Sequence, residues 1–528
     1  MTEGLFLAVV SAALGGALAL AARRREFLLE LTRTFAFTAA AGVVVFHLLP
    51  EVLPAIGPVA LLWIAAGFVL PWILEVAARA LGPLLFARRG VPGMRVAAEV
   101  GFAALIFHSL FEGLALLATV QARDNPTDLE IAIVAHHAPL TAAVALPFLD
   151  LLGVRATLIR VGLVALAGVL GVLGGNLVPG LASDANADVL RAATAVVAGA
   201  LLHVVADEIG EQRFARRRER GWDLLAGVAG IAVAGFGAFL DARTTRTILE
   251  FAAAATALGL GAAPALVASI AVEAAAMRRS ASPVVRAPLR GFFVVAAAFG
   301  WPAAVARAAL AASFAAAAQL VGREPAPAAR ASISEELARR GPWILGLLLL
   351  GGAIHVLAPP GWLTESGPVG VLIVAACIAA ASRMTVTGSA LLACAAVDRG
   401  FSPGMAVALV ALGALPIRRT SPSRIAAVAV PAFAVAIAVG VALDRTALLR
   451  EAPRIASTML ASSQLPILRQ LGAAPVPTAC AVLLVALALA SALRSGVRGW
   501  FAPFRHAEGH GHESHVHAAP PVGALERH

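Results

Sequence analysis

The sequence predicts an all-α fold, a polytopic transmembrane helix bundle of about 15 spans, and three observations carry that prediction. Of the 528 residues, 60% are hydrophobic and 14% charged, a balance that does not describe a soluble chain. Apolar runs of about 17–29 residues recur from the N-terminus to residue 495, the length a helix needs to cross bilayer hydrocarbon. The arginines, finally, gather in the short connections between those runs, as cytoplasmic loops of membrane proteins do.

In chain order, the first half offers eight candidate spans, near residues 5–22, 34–50, 59–86, 96–121, 130–150, 156–180, 190–210 and 222–241. The first reads as a membrane span rather than a cleaved signal, since "MTEGLF" lacks a basic start and "RRR" at 23–25 follows the apolar run. The odd-numbered connections, "ARRREF", "ARRGVPGMR", "GVRATLIR" and "EQRFARRRERG", hold most of the arginine, while "EVLPAIGP", "ARDNPTDLE" and "SDANAD" are neutral or acidic. This alternation places the N-terminus outside. The second half offers spans near 247–276, 291–320, 342–357, 367–397, 401–417, 424–443 and 475–495. Two of these are long enough to be hairpins, the first breakable at Pro302 and the second within "SRMTVTGS" at 382–389. The mixed stretch 446–470 suits a position along the membrane interface. After Trp500 comes a polar tail with six histidines, among them His506, His510, His512, His515 and His517, a composition that suits metal buffering or a merely solvated segment. Flanking arginines place it in the cytoplasm. The resulting division is 1–245, 246–498 and a tail, 499–528.

Composition also excludes. The net charge of +10 lies beside apolar runs rather than on a compact basic face interleaved with aromatics, so nucleic acid is not the partner. Cys377, Cys394 and Cys480 have no CxxC spacing, which argues against a disulfide framework or thiolate site. There is no H-E-x-x-H, and the chain reads as no enzyme. Lysine and tyrosine are absent, a compositional bias expected of a GC-rich bacterial source.

Four apolar segments carry ionisable groups that a bilayer rejects when they stand alone. They hold His47 and Glu51; His108 and Glu112; His136 and His137; and His203, Asp207 and Glu208. His and carboxylate one helical turn apart share a face and suit a transition-metal site. From the predicted orientation, His108, Glu112, His136 and His137 lie nearest the membrane centre, with His47 and Glu51 toward the outside and His203, Asp207 and Glu208 toward the inside. The plainer alternatives are wet helix ends for the outer and inner sets, and a helix-locking hydrogen-bond network for the central one.

The order HLLPE, HSLFEG and HHAP within eight spans resembles the ZIP (ZRT/IRT-like) metal transporters, over roughly residues 1–241. That resemblance implies uptake of divalent metal of the zinc or iron class toward the cytosol, with His108, Ser109, Glu112, His136 and His137 at the metal positions. One turn after His136, where the family places another ligand, stands Leu140, and helix six offers Asn176 in place of an acid. One ion, rather than two, is the expectation. The second half, from "ELARRGPWILGLLLLGGAIHVLAP" to "GSALLACAAVDRGFSPGMAVALVALGALP", resembles the predicted permease family that includes organoarsenical efflux permeases, without that family's cysteine signature. His355 and Arg383 there read as a satisfied polar residue and a snorkelling one. The expectation is therefore a bacterial plasma-membrane transporter with zinc, iron, cobalt or nickel as cargo, no resident cofactor, lipid as its surroundings and a homodimer as a compatible assembly. Its alternatives are a non-transporting metal sensor or scaffold, or a permease exporting another solute through the second half.

Overall fold

The computed structural model describes residues 2–22, 26–57, 59–70, 73, 99, 102–103, 105–110, 113, 127–177, 187–208, 217–240, 242–279, 283–321, 333–359, 361–365, 367–415 and 422–501. Among the described residues the regular structure is helical, with no strand.

The first half begins with α1 (Thr2–Ala22) and α2 (Glu26–Val43), which runs through a π-turn (Val44–Leu48) into α3 (Leu49–Ile56). The π-turn lies just before Pro50, which has no N–H to continue the regular ladder; Leu49 N–H instead reaches back to Val44 O. After α4 (Val59–Leu70) and the helical residues 105–110, α5, the long α6 (Thr127–Leu177) holds two arms broken at Gly153, whose φ of 79° favours glycine. The expected loop "GVRATLIR" is thus reduced to this one break, and Thr157 already bonds Gly153 O at 3.0 Å.

Both arms pack on α1. Gly15 lies against Ala138 and Thr141 of the first arm, while Gly16 faces Val161 and Ala8 faces Gly168 of the second. The arms therefore form an antiparallel hairpin, with α1 parallel to the first. Arg160, near the base of the second arm, pairs with Glu99 at 2.5 Å and sits 4.3 Å over the Phe148 ring. Next come α7 (Ala187–Glu208) and α8 (Arg217–Leu240). α8 lies parallel to α2: Asp223 meets Thr34, and Ala234 meets Gly42.

The second half is built round α9 (Ala242–Arg279), α10 (Pro283–Leu289), α11 (Phe292–Phe299), α12 (Trp301–Val321) and α13 (Ile333–Leu357), followed by α14 (Trp362–Glu365), α15 (Gly367–Met384), α16 (Val386–Asp398) and α17 (Pro403–Ala411). Both breaks expected from sequence occur. α11 ends at Gly300, with a φ of 90°, and α12 restarts with Pro302 in its first turn. α15 ends before Thr385, whose extended backbone and hydroxyl cap the start of α16. α16 is buried from Val386 to Val397 and, with α17, forms the centre of the core. The two broken helices meet where Gly291, at the start of α11, lies against Val386 and Thr387. Glu273 of α9 accepts from Gly291 N–H at 2.8 Å and pairs with Arg340 of α13, so a buried carboxylate closes that helix start.

The chain continues through α18 (Pro422–Asp444), α19 (Ala452–Leu460), α20 (Ile467–Ala473), α21 (Pro475–Ser495) and α22 (Val497–Trp500). The helices Val428–Asp444 and Ala447–Gln464 meet at 85°. α22 returns to the first half, where Asp223, fully buried, accepts from Val497 N–H at 2.7 Å and from the Thr34 hydroxyl at 2.5 Å. Arg498 pairs with Glu30 beside them, and the Phe37 and Phe501 rings lie 5.5 Å apart.

Five helices among the described residues are long and apolar enough to cross a membrane, and six if the bent pair is one span. α21 makes the physical case most directly: its most apolar window is 6% buried, and Val476, Val482 and Val485 are exposed. An apolar surface of this kind needs an apolar surrounding.

Candidate functional site

The centre of the first half brings His108, Ser109 and His137 together. His137 lies on the first arm of α6, 3% exposed. Its Nε2 is 2.9 Å from the Ser109 hydroxyl of α5, and its Nδ1 is 2.9 Å from the Ser11 hydroxyl of α1. The His108 ring lies near-parallel to that of His137, with centroids 6.3 Å apart.

The hydroxyls assign the tautomer. Ser109 donates to Leu105 O at 2.8 Å, which leaves its oxygen to accept from Nε2–H. Ser11 has a weaker alternative acceptor, Ala8 O at 3.3 Å, so its proton goes to Nδ1. His137 is then a neutral imidazole engaged at both nitrogens, joining three helices. One turn further on, Thr141 is 1% exposed and its hydroxyl has no hydrogen-bond partner among the described residues. It presents an oxygen on the same helix face as His137.

Small residues bring these helices close. Gly113 lies against Gly168 and Gly171 of the second arm, too close for any side chain, so the glycine after Glu112 has a packing reason. Gly15 gives α1 the same close approach to Ala138 and Thr141.

The other expected residues fall elsewhere or outside the description. Glu112 lies outside the described residues, as do His506, His510, His512, His515 and His517. His136 belongs to α6, His47 to the π-turn, Glu51 to α3, and Asp207 and Glu208 to the end of α7, all with undescribed side chains. His203 packs edge-on to Phe68, 5.4 Å between centroids. Among the described residues no group of three or more His, Cys, Asp or Glu side chains is placed to hold a metal ion. What is brought together is two imidazoles with oxygen donors from Ser11, Ser109 and Thr141. Sequence reasoning missed Ser11 and Thr141. The available signal was Thr141's place one turn after His137; nothing local marks Ser11.

The second half holds another polar constellation, round His355, whose ring is satisfied at both nitrogens as its reading from sequence expected. Its Nδ1 is 2.8 Å from Asp398 and its Nε2 is 3.1 Å from the Ser463 hydroxyl. Arg383, by contrast, donates to Leu415 O.

Comparison of the chain with family models, curated proteins and solved structures finds no match.

Proposed function

We propose that this chain is an integral membrane transporter of a divalent transition metal, carrying it toward the cytosol through the first half. The observation that supports this best is the meeting of His108, Ser109 and His137, with Ser11 and Thr141, among helices otherwise apolar. Imidazole and hydroxyl groups at membrane depth replace the hydration of an ion in transit. In sequence, Glu112 stands one turn after His108, and His136 stands beside His137; these are residue types that zinc, iron, cobalt and nickel accept as ligands. On this reading the motif order HLLPE, HSLFEG, HHAP reflects a ZIP-like unit, in a bacterial plasma membrane, with the N-terminus outside and the His-rich tail in the cytoplasm. The cargo ion is the substrate, and no other cofactor is required.

The hydrogen bonds of His137 define the first step. An ion takes the imidazole lone pair only when the Ser11 proton turns away, or takes Nε2 when its proton leaves. Binding is thus coupled to a proton or to a hydroxyl rotation. Because both nitrogens are engaged, a second reading remains open: a non-transporting sensor or scaffold in which the same network locks three helices.

Flux into proteoliposomes loaded with a fluorescent chelator separates the two. Wild type is expected to admit at least one of zinc, iron, cobalt or nickel, and His108→Ala and His137→Ala to abolish that flux. A folded wild type that moves none of them would leave the locked-network reading.

A further inference from the structure

Asp398, His355 and Ser463 come from three separate elements. Asp398 is the last residue of α16, His355 lies in the last turn of α13, and Ser463 stands in the 3₁₀ turn Ala461–Gln464 that follows α19. The carboxylate lies 2.8 Å from Nδ1 and the hydroxyl 3.1 Å from Nε2, on opposite sides of one ring. Asp398 and His355 side chains are 10% and 13% exposed, whereas the serine lies in a half-buried turn with exposed neighbours Gln464 and Leu465.

Several features show that this order is held. An acid at a helix C-terminus opposes the helix dipole, so Asp398 stands where its charge is disfavoured unless neighbours offset it. Arg399, of opposite charge, lies 3.6 Å from the carboxylate. Arg399 also lies 3.2 Å from Nδ1. A guanidinium would require that nitrogen bare, while a carboxylate requires it protonated. The carboxylate contact is shorter, and Arg399 has its own acceptor in His355 O, so the proton belongs on Nδ1. Nε2 then carries the lone pair that accepts the Ser463 O–H. Nucleophile, base and orienting acid in this geometry define the serine hydrolase arrangement whatever the fold or chain order.

Location points to the substrate. The helix carrying this turn leaves α18 at 85°, and Leu448, Leu465 and Leu468 are exposed along the segment, Leu468 at 83%. An apolar, exposed segment turned in this way from its neighbour suits the membrane interface, at the depth of lipid ester carbonyls. We propose that Ser463, His355 and Asp398 form a second, catalytic site that cleaves the carboxylic ester of a membrane lipid acyl chain. Ser463 Oγ bonds the acyl carbon as the ester C–O bond breaks; the serine proton passes to His355 Nε2 and from there to the leaving alcohol oxygen. Water then adds to the acyl carbon, its proton passing through Nε2 back to Ser463 Oγ, and the fatty acid leaves. Asp398 is a positioning residue that holds the tautomer.

The test uses the full chain in lipid vesicles with a long-chain alkyl fluorophosphonate, reading the adduct by peptide mass and its rate of formation. Ser463 is expected to be labelled in wild type and in the neighbouring Ser462→Ala, and no adduct to form at position 463 in Ser463→Ala. His355→Gln and Asp398→Asn should slow labelling by about 10³-fold or more. Thermal unfolding of each variant shows that it is folded, and Asp398→Asn, which keeps the side-chain shape, serves if His355→Gln is not. No adduct at Ser463 in folded wild type overturns the proposal. So does an adduct forming equally fast in the folded variants, which would mark a merely exposed hydroxyl.

Discussion

Placing one methyl group at Gly15 tests the structure at the point where packing and candidate site meet. A Cβ there would stand 2.5 Å from Ala138 O and 2.5 Å from Thr141 Cβ. Carbon and oxygen in ordinary contact approach to about 3.3 Å, so α1 must retreat from the α6 arm by about 0.8 Å. Ser11 lies one turn before Gly15, and the same retreat stretches its 2.9 Å bond to His137 past hydrogen-bonding range. Overpacking of this kind costs about 1–3 kcal/mol. Gly→Ala in a helix interior also gains up to about 1 kcal/mol of intrinsic propensity, which would blur a single variant. Gly162→Ala removes that ambiguity, since it lies within a helix of the same bundle and a Cβ there meets nothing within 4 Å. The propensity gain is common to both, and their difference isolates the clash. In detergent-solubilised full chain, Gly162→Ala should unfold at or above the wild-type temperature and Gly15→Ala below both, with reduced metal flux in Gly15→Ala. If Gly15→Ala unfolds no lower than Gly162→Ala, the close approach of α1 to the His137 arm is wrong, and the Ser11 bond with it.

Three further outcomes follow from the packing. Asp223→Ala removes the acceptor of Val497 N–H in a fully buried place, a loss of about 1–3 kcal/mol, and limited proteolysis should release the C-terminal segment faster than from wild type. Arg340→Ala leaves the 5% exposed Glu273 without its ion-pair partner and should destabilise by about 3–5 kcal/mol, visible as a lower unfolding temperature; Arg340→Ala with Glu273→Gln should recover part of that loss. Ser109→Ala takes the acceptor from Nε2 of His137, so it should lower metal flux with a smaller effect on unfolding temperature than Gly15→Ala.

Periodicity and punctuation were legible in the sequence. Gly300 with Pro302, and Thr385 within "SRMTVTGS", mark breaks because a glycine with positive φ, a proline without N–H and a hydroxyl that caps a helix start are local causes. His108 and His137 stood out because a polar group in an apolar run demands a reason, whereas Ser109 entered only through the resemblance of its motif. Neighbours such as His136 and His137 point about 100° apart on a helix, so spacing alone could not say which ring would meet Ser109. Ser11 was hidden because one serine in an apolar helix is unremarkable until its partner, 126 residues away, is in place. His355 looked solitary for the same reason, its partners lying 43 and 108 residues further on. Asp223 and Val497 are joined across 274 residues, a distance over which no pattern in sequence speaks.

That last bond has a consequence for biosynthesis. Asp223, in the second turn of α8, is made long before Val497, and at about 5–20 residues per second the 274 residues between them take roughly 14–55 s to synthesise. Through that interval a carboxylate destined for full burial has no backbone amide to receive. A nascent chain stalled before α22 therefore lacks the amide that completes the partners of this acid, while the Thr34 hydroxyl is already in place for it.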